Sequence, residues 1–225
     1  MKTLFSLLFC LVSVMCRAQD VVPQPVRPIR VAIVIDDGPV PGRTADYIRI
    51  FNEKGVKATF SFIASALEKD PADGRAVIAA GFQVNNHSFD HRHPGELTEE
   101  ELRHEVVDAQ KRIAEILGTA PRFYWQPFAE MNNSLAKIVD GNGMELTRME
   151  HVVSSLDFIP GITGEQVFKN ATTGIVDGTV INFHEWSEAT HSQMAAIIDE
   201  LRRQGCVFVT LSEIVDAYDA AHAAK

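Results

Sequence analysis

Short apolar runs alternate with stretches of helical spacing along most of the chain. Residues 31–35, Val-Ala-Ile-Val-Ile, form an unbroken, mostly β-branched run that stops at Asp36-Asp37-Gly38-Pro39. A run without polar alternation reads as a strand covered on both faces, as in a parallel sheet, and Gly-Pro ends it. Residues 44–54 then place Tyr47, Ile48 and Phe51 at helical spacing before Gly55. The same alternation predicts strands over 58–64, 82–86, 122–125, 144–152, 179–183 and 207–210. Helices are predicted over 71–80, 98–117, 132–139, 164–172 and 194–204. In the stretch 98–117, Thr98 and Glu101 form a capping box, and Leu102, Val106, Ala109, Ile113 and Ile116 line one face. Ser212 is expected to cap a last helix.

Strands and helices in alternation, joined by short connections, predict an α/β fold of βαβ units with about seven parallel strands. Such a sheet is either doubly wound or closed as a barrel. No Gly-x-Gly-x-x-Gly follows the first strand and no phosphate loop occurs, so nucleotide binding has no support.

Residues 1–18 stand apart from this pattern. Lys2 precedes an apolar run over 4–16 broken only by Ser6 and Ser13, and Cys16-Arg17-Ala18 offers small residues for a cut after Ala18. We read this as a secretory signal peptide, too short for a membrane span. A lipoprotein cut at Cys16 is the weaker alternative, because Met15 is bulkier than the small residue expected there. Residues 19–30 then read as an extended leader and 31–225 as a single domain. Cys206 alone would remain, so no internal disulfide is expected and the core must carry the fold. The formal net charge of −9 argues against nucleic acid or an anionic membrane as partner. Location outside the cytoplasm, in a periplasm or beyond the cell, follows from the signal.

Polar residues follow the strands. Asp36 and Asp37 end the first, His87-Ser88-Phe89-Asp90-His91 follows the third, Pro127 the fourth, Asp157 the fifth, and His184 closes the sixth. In a parallel barrel all of them converge on one face. His87 and His91, four apart, can share a metal ion, and Asp37 is the carboxylate that would complete a three-ligand site. Carboxylate with imidazole suits zinc first, with cobalt or nickel next. His184 reads as a general acid beside the metal, steadied by Asp157. Solvated loop histidines and an ordinary Asp-Gly turn would leave the same spacings. His93, His104, His151, His191 and His222 have no comparable placement and read as surface residues.

Together these residues resemble the polysaccharide deacetylase family, the NodB-homology domain of carbohydrate esterase family four. Ile35-Asp36-Asp37-Gly38-Pro39 resembles its first motif, usually Thr-Phe-Asp-Asp-Gly-Pro, and His87-Ser88-Phe89-Asp90-His91 its second, His-Ser/Thr-x-x-His. The resemblance runs from about Arg30 to Tyr218. It implies a distorted (β/α) barrel of about seven parallel strands, with Asp37, His87 and His91 as metal ligands. It implies Asp36 as the general base on the attacking water, His184 as the general acid for the leaving amine, and Asp157 as its orienting partner. A backbone N–H near Phe128 would help hold the oxyanion.

The sequence departs from the family pattern at three places. The third motif, usually Arg-Pro-Pro, reads Trp125-Gln126-Pro127-Phe128-Ala129, so the arginine that pairs with the base aspartate falls on Trp125. Asp36 is then expected to be a stronger but less firmly oriented base, with Gln126 as the candidate to hold it. Phe158 stands where the fourth motif has tryptophan. Asn182 stands where a leucine meets the acetyl methyl, which predicts a more polar acyl pocket. The expected activity is metal-dependent removal of acetyl groups from a polysaccharide, N-acetylglucosamine-containing glycan first. Two alternatives stand beside it: O-deacetylation of a plant-type polymer, and a glycan-binding homologue that has lost turnover.

Overall fold

The computed structural model describes residues 28–147 and 151–223. The signal peptide, most of the leader and the middle of the predicted strand 144–152 lie outside the described residues. The chain runs β1 (Ile29–Gly38), α1 (Arg43–Lys54), β2 (Thr59–Phe62), α2 (Ala64–Lys69), α3 (Pro71–Ala79) and β3 (Gln83–Asn86). Next come α4 (Glu99–Arg103), a π-helical turn (His104–Asp108), α5 (Ala109–Leu117), β4 (Phe123–Tyr124), α6 (Asn133–Gly141), β5 (Glu145–Leu146) and β6 (Val152–Ser154). The last elements are α7 (Gly164–Thr172), β7 (Thr179–His184), α8 (Glu188–Arg203), β8 (Cys206–Phe208) and α9 (Leu211–His222).

Seven of the strands lie in the order β5-β4-β3-β2-β1-β7-β6, and β8 pairs with the start of β1. Every pairing is parallel. The predicted strand 144–152 is two strands, one on each margin of the sheet. The few residues between them reach at most about 20 Å, so the margins must come close and the sheet must curl. Of the doubly wound sheet and the barrel that the pattern of elements left open, this is the distorted barrel that the family resemblance implied, open between β5 and β6.

Strand β1 is the centre of the curl and its two faces differ. Val31, Ile33 and Ile35 pack outward with Phe51, Phe60, Phe62 and Phe183 under the helices. Ala32 and Val34 face inward with Phe123, Trp125 and Val180, closed by Leu211 and Ile214 of α9. Side chains alternate along a strand, so the inward file of β1 continues Ala32, Val34, Asp36. The register pairs Ala32 with Val180, Val34 with Asn182 and Asp36 with His184. The inner apolar layer is therefore topped by a polar one, made of Asp36, Asn182 and His184.

Other differences from the sequence reading have local causes. The predicted helix 98–117 keeps its Thr98–Glu101 capping box but passes through the π turn, which swings Glu105 inward. The segment 58–64 ends as a strand at Phe62, and Ala64 already begins α2. Helix α8 begins at Glu188 because the Ser187 hydroxyl accepts from Thr190 N. Thr210, not Ser212, caps α9, in a capping box with Glu213. Among the described residues no helix is long and apolar enough to cross a membrane.

Phe60 is fully buried against the rings of Phe51, Phe62 and Phe82. Phe60→Ala is expected to cost about 3–5 kcal/mol, read as a lower urea midpoint at unchanged denaturant slope.

Candidate active site

The site forms where the strands end, and its first determinant is a bulge. The β1–β2 register slips between Asp36 and Gly38, and Asp37 takes a left-handed backbone with φ 68°. A bulge re-aims a side chain that strict alternation would send to the other face. Asp36 keeps to the inward file while Asp37 turns toward the mouth. Gly38 is required by close approach, because a Cβ there would collide with the Glu185 carboxylate.

Asp37 Oδ1 lies 3.3 Å from His87 Nε2 and 3.3 Å from His91 Nε2. One ligand atom from each of the three residues falls within 4.8 Å of the others. His87 Nδ1 is 2.6 Å from the Trp125 carbonyl, which accepts from it. In the neutral ring that contact places the proton on Nδ1, so that the Nε2 lone pair faces Asp37. Burial and the charge of His87 pull His91 down to about 4, so it is neutral at pH 7. Asp37 Oδ1 is sealed from solvent and accepts no hydrogen bond. Lone pairs from one carboxylate and two imidazoles thus face a common point, the donor set that suits zinc. Burial opposes a proton on His87, but the nearby carboxylates of Asp36 and Asp37 outweigh it and raise its pKa. A divalent cation would satisfy the same demand.

The second histidine loop is held from outside the sequence motif. Glu105 Oε2 accepts from Phe89 N at 3.1 Å and Asp90 N at 2.9 Å, and the Ser88 hydroxyl accepts from His91 N. The π turn exists where Glu105 reaches this loop; such turns frequently mark functional sites.

On the other side, His184 Nδ1 is 2.6 Å from Asp157 Oδ1. Asp157 Oδ2 also accepts from His184 N at 2.8 Å and from the Thr190 hydroxyl at 2.5 Å. Burial opposes the charge on Asp157, but these donors outweigh it and lower its pKa. His184 Nε2 is left facing the cleft. Burial lowers the His184 pKa, yet the Asp157 hydrogen bond and the charges of Asp36, Asp157 and Asp37 push it up to about 9.

Asp36 departs from its expected looseness. Trp125 Nε1 donates to its Oδ2 at 2.8 Å and Asn182 Nδ2 donates to the same oxygen at 2.7 Å. Gln126 does not take this role, and its buried Oε1 has no partner. The indole occupies the arginine's place as a neutral donor, and Asn182 reaches Asp36 because it is its inward-facing neighbour on β7. Asp36 Oδ1 is buried and unpartnered. Burial raises the pKa of Asp36, opposed by the charges of His87 and His184.

The rim is apolar and strained. Phe128, Met131, Leu156, Phe158, Ile159 and Trp186 are six of the nine exposed large apolar side chains among the described residues. Phe128 stacks on His93 with ring centres 3.6 Å apart and also meets His91 at 4.6 Å. Phe158 meets His184 edge-on at 5.8 Å, and Pro127 is buried beneath the loop. The left-handed non-glycine residues among those described are Asp37, at the bulge near the end of β1, and Ser88, His91, Phe128, Ala129 and Leu156, which follow strands at the same end of the sheet. Such strain persists only where its surroundings hold it, and it clusters at functional sites.

The structure therefore brings Asp36, Asp37, His87, His91, Asp157 and His184 together, with Trp125, Pro127, Phe128, Phe158 and Asn182 around them. Sequence reasoning missed Trp186, which donates to Asp37 Oδ2 at 2.7 Å, and the buried Glu105 and Glu185. Glu185 Oε1 accepts from Val40 N at 3.2 Å and from the Thr44 hydroxyl, and so ties β7 to the turn after Asp37. Burial pushes it up to about 7. Its position directly after His184 was the available signal. His93, read as a surface residue, is exposed but belongs to the rim.

A family model for polysaccharide deacetylases matches residues 24–147. The chain belongs to the polysaccharide deacetylase family. A peptidoglycan-N-acetylglucosamine deacetylase of Listeria monocytogenes is 25% identical over 185 residues, 82% of this chain and 38% of that protein. One from Bacillus cereus is 24% identical over 189 residues, 82% of this chain and 87% of that protein. The chain thus spans less than half of the Listeria relative. A family 4 carbohydrate esterase from Streptomyces lividans, solved in complex with acetate, superposes with a TM-score of 0.73 at 25% identity. That match covers 80% of this chain and 91% of the esterase chain. Asp157 and His184 lie beyond the matched segment; the β1–β7 register sets His184 beside Asp36, and Asp157 joins the polysaccharide deacetylase motifs through its hydrogen bonds to His184.

The elevated pKa of His184 has a measurable consequence. It lies above the ordinary 6.5, so its contribution to stability is full below that pH and is lost as pH rises through about 9. In Asp157→Asn the imidazole midpoint, followed by NMR in chelator-treated protein, is expected to move down, and the pH of this stability loss with it.

Proposed function

We propose that the protein is a secreted, metal-dependent deacetylase acting on N-acetylglucosamine-containing glycan. The observation that carries the reading is the pair of buried, unpartnered carboxylate oxygens, Asp36 Oδ1 and Asp37 Oδ1, beside two imidazoles and opposite the His184–Asp157 pair. Asp37, His87 and His91 would hold the cation, zinc by donor set. When bound, the cation supplies positive charge that acidifies a water and offsets negative charge developing on the acyl oxygen.

The chain's own groups divide the proton transfers. Asp36 Oδ1 is free to take the proton of the attacking water. His184, protonated through its pairing with Asp157, offers Nε2–H to the leaving amine. Two groups whose environments separate their proton affinities are the arrangement that acid–base hydrolysis needs. A backbone N–H near Phe128 would serve the oxyanion. The exposed rings of Phe128, Phe158 and Trp186 offer flat apolar faces to sugar rings. The names of the Listeria and Bacillus relatives support N-acetylglucosamine as the acylated unit. Residues 1–18 support export.

A glycan-binding role without turnover is the second reading, favoured by Trp125, which brings no cation to Asp36. The two separate in one assay, acetate release from chitooligosaccharides, peptidoglycan and acetylated xylan. We expect release from an N-acetylated glycan, and loss of about 10²–10⁴-fold in kcat for Asp36→Asn. Removal of metal by dipicolinate should abolish the activity and zinc should restore it. Tight glycan binding with no acetate from any polymer would establish the second reading instead.

A further inference from the structure

The sequence contains two tryptophans, and each gives its indole N–H to one of the two adjacent aspartates. Trp125 Nε1 is 2.8 Å from Asp36 Oδ2, and Trp186 Nε1 is 2.7 Å from Asp37 Oδ2. In both carboxylates the remaining Oδ1 is buried and accepts nothing. The symmetry is not inherited from the fold. Trp125 directly follows β4 and is 9% exposed, whereas Trp186 follows β7 at the rim and is 47% exposed.

The chemistry of the pair is specific. An indole is a donor only, so it can engage a carboxylate but never a metal ion. A carboxylate turns about its last torsion between two nearly equivalent orientations. One hydrogen bond to one oxygen removes that equivalence and fixes which oxygen faces the cleft. A neutral donor does so without adding positive charge where a divalent cation must bind, and like charges only a few ångströms apart repel strongly in a buried site.

We propose that the two indoles are positioning residues with separate assignments. Trp186 selects Asp37 Oδ1 as the metal ligand, and Trp125, with Asn182, selects Asp36 Oδ1 as the base. The assignment of Asp36 rests on the deacetylase reading. The selection of oxygens does not, and it can be read without turnover.

Two tryptophans give two indole N–H signals in the ¹⁵N-labelled protein, assigned with Trp125→Phe and Trp186→Phe. The signal that remains in each variant also reports that the site is folded. Zinc added to wild type should shift the Trp186 signal and leave that of Trp125 nearly in place. Asp36→Ala should move the Trp125 signal upfield and leave that of Trp186. Zinc affinity, measured by competition with a chromophoric chelator, should fall about 10–100-fold in Trp186→Phe and change less than about twofold in Trp125→Phe. Trp125→Phe should instead lower kcat with KM little changed, and adding Asn182→Leu should lower kcat by more than the product of the single effects. Equal loss of zinc affinity in both variants, a Trp186 signal indifferent to zinc, or a Trp125 signal indifferent to Asp36→Ala would overturn the proposal. If the signals and affinities behave as expected but wild type releases no acetate, the deacetylase reading fails and the positioning of both carboxylates stands.

Discussion

The whole site depends on one interruption of one strand. Alternation along β1 sends Asp36 inward and would send Asp37 to the opposite face, among the helices. The left-handed residue at Asp37 and the register slip before Gly38 turn its carboxylate back toward the mouth. Two adjacent residues can then serve one site from different directions. A left-handed aspartate is uncommon though better tolerated than most residues, and it holds here because its surroundings determine it. Glu185 grips the turn from β7, its backbone N–H donates to the Asp36 carbonyl, and its carboxylate packs against Gly38 where any side chain would collide.

The polar layer on the inner face follows from the same register. Trp125, Asn182, His184 and Asp36 meet because β4, β7 and β1 each present the same parity to the inside of the curl. This geometry explains why the loss of arginine at position 125 does not release Asp36. An indole reaching from one side and an amide from the neighbouring strand converge on one oxygen. Neither donor carries charge, and burial outweighs the opposing charges of His87 and His184, so the affinity of Asp36 for a proton is raised. The expectation of a stronger base fits this direction. The expectation of a loosely held one does not.

Much of this was legible in the sequence where the signal is local. The apolar run before Asp36-Asp37, the four-residue spacing of His87 and His91, and the polar residue closing each strand named the site's six central residues. Element type was readable for the same reason, since burial on one or two faces imposes its own period. The strand expected over 144–152 failed because two short edge pairings, separated in space by the opening of the barrel, look like one β-rich stretch when read along the chain. Residues that act across the fold were not readable. Glu105, Trp186 and Glu185 sit in a helix face and a loop whose composition is ordinary, and their roles arise only from what the curl brings against them. Asn182 was noticed for its position, but its hydrogen bond to Asp36 on the adjacent strand was not readable along the chain.

The distribution of strain argues that the site is an assembled device rather than a chance meeting of strand ends. Left-handed non-glycine residues store conformational energy of order 1–3 kcal/mol each, and those among the described residues fall near the end of β1 or in the segments that follow β3, β4 and β6, around the Asp37–His87–His91 cluster or the His184–Asp157 pair. Three of these four strained segments have an anchor: buried Glu185 for the turn after Asp37, buried Glu105 for the loop carrying His91, and half-buried Asn170, which donates to the Ser155 carbonyl, for the loop carrying Leu156 and Asp157. Two of these anchors are carboxylates with one buried oxygen left unpartnered, a costly arrangement in a low-dielectric interior. Stability at these positions is spent on fixing the directions of the side chains the chemistry needs, while the apolar layer beneath, from Ala32 and Val34 to Leu211 and Ile214, carries the fold.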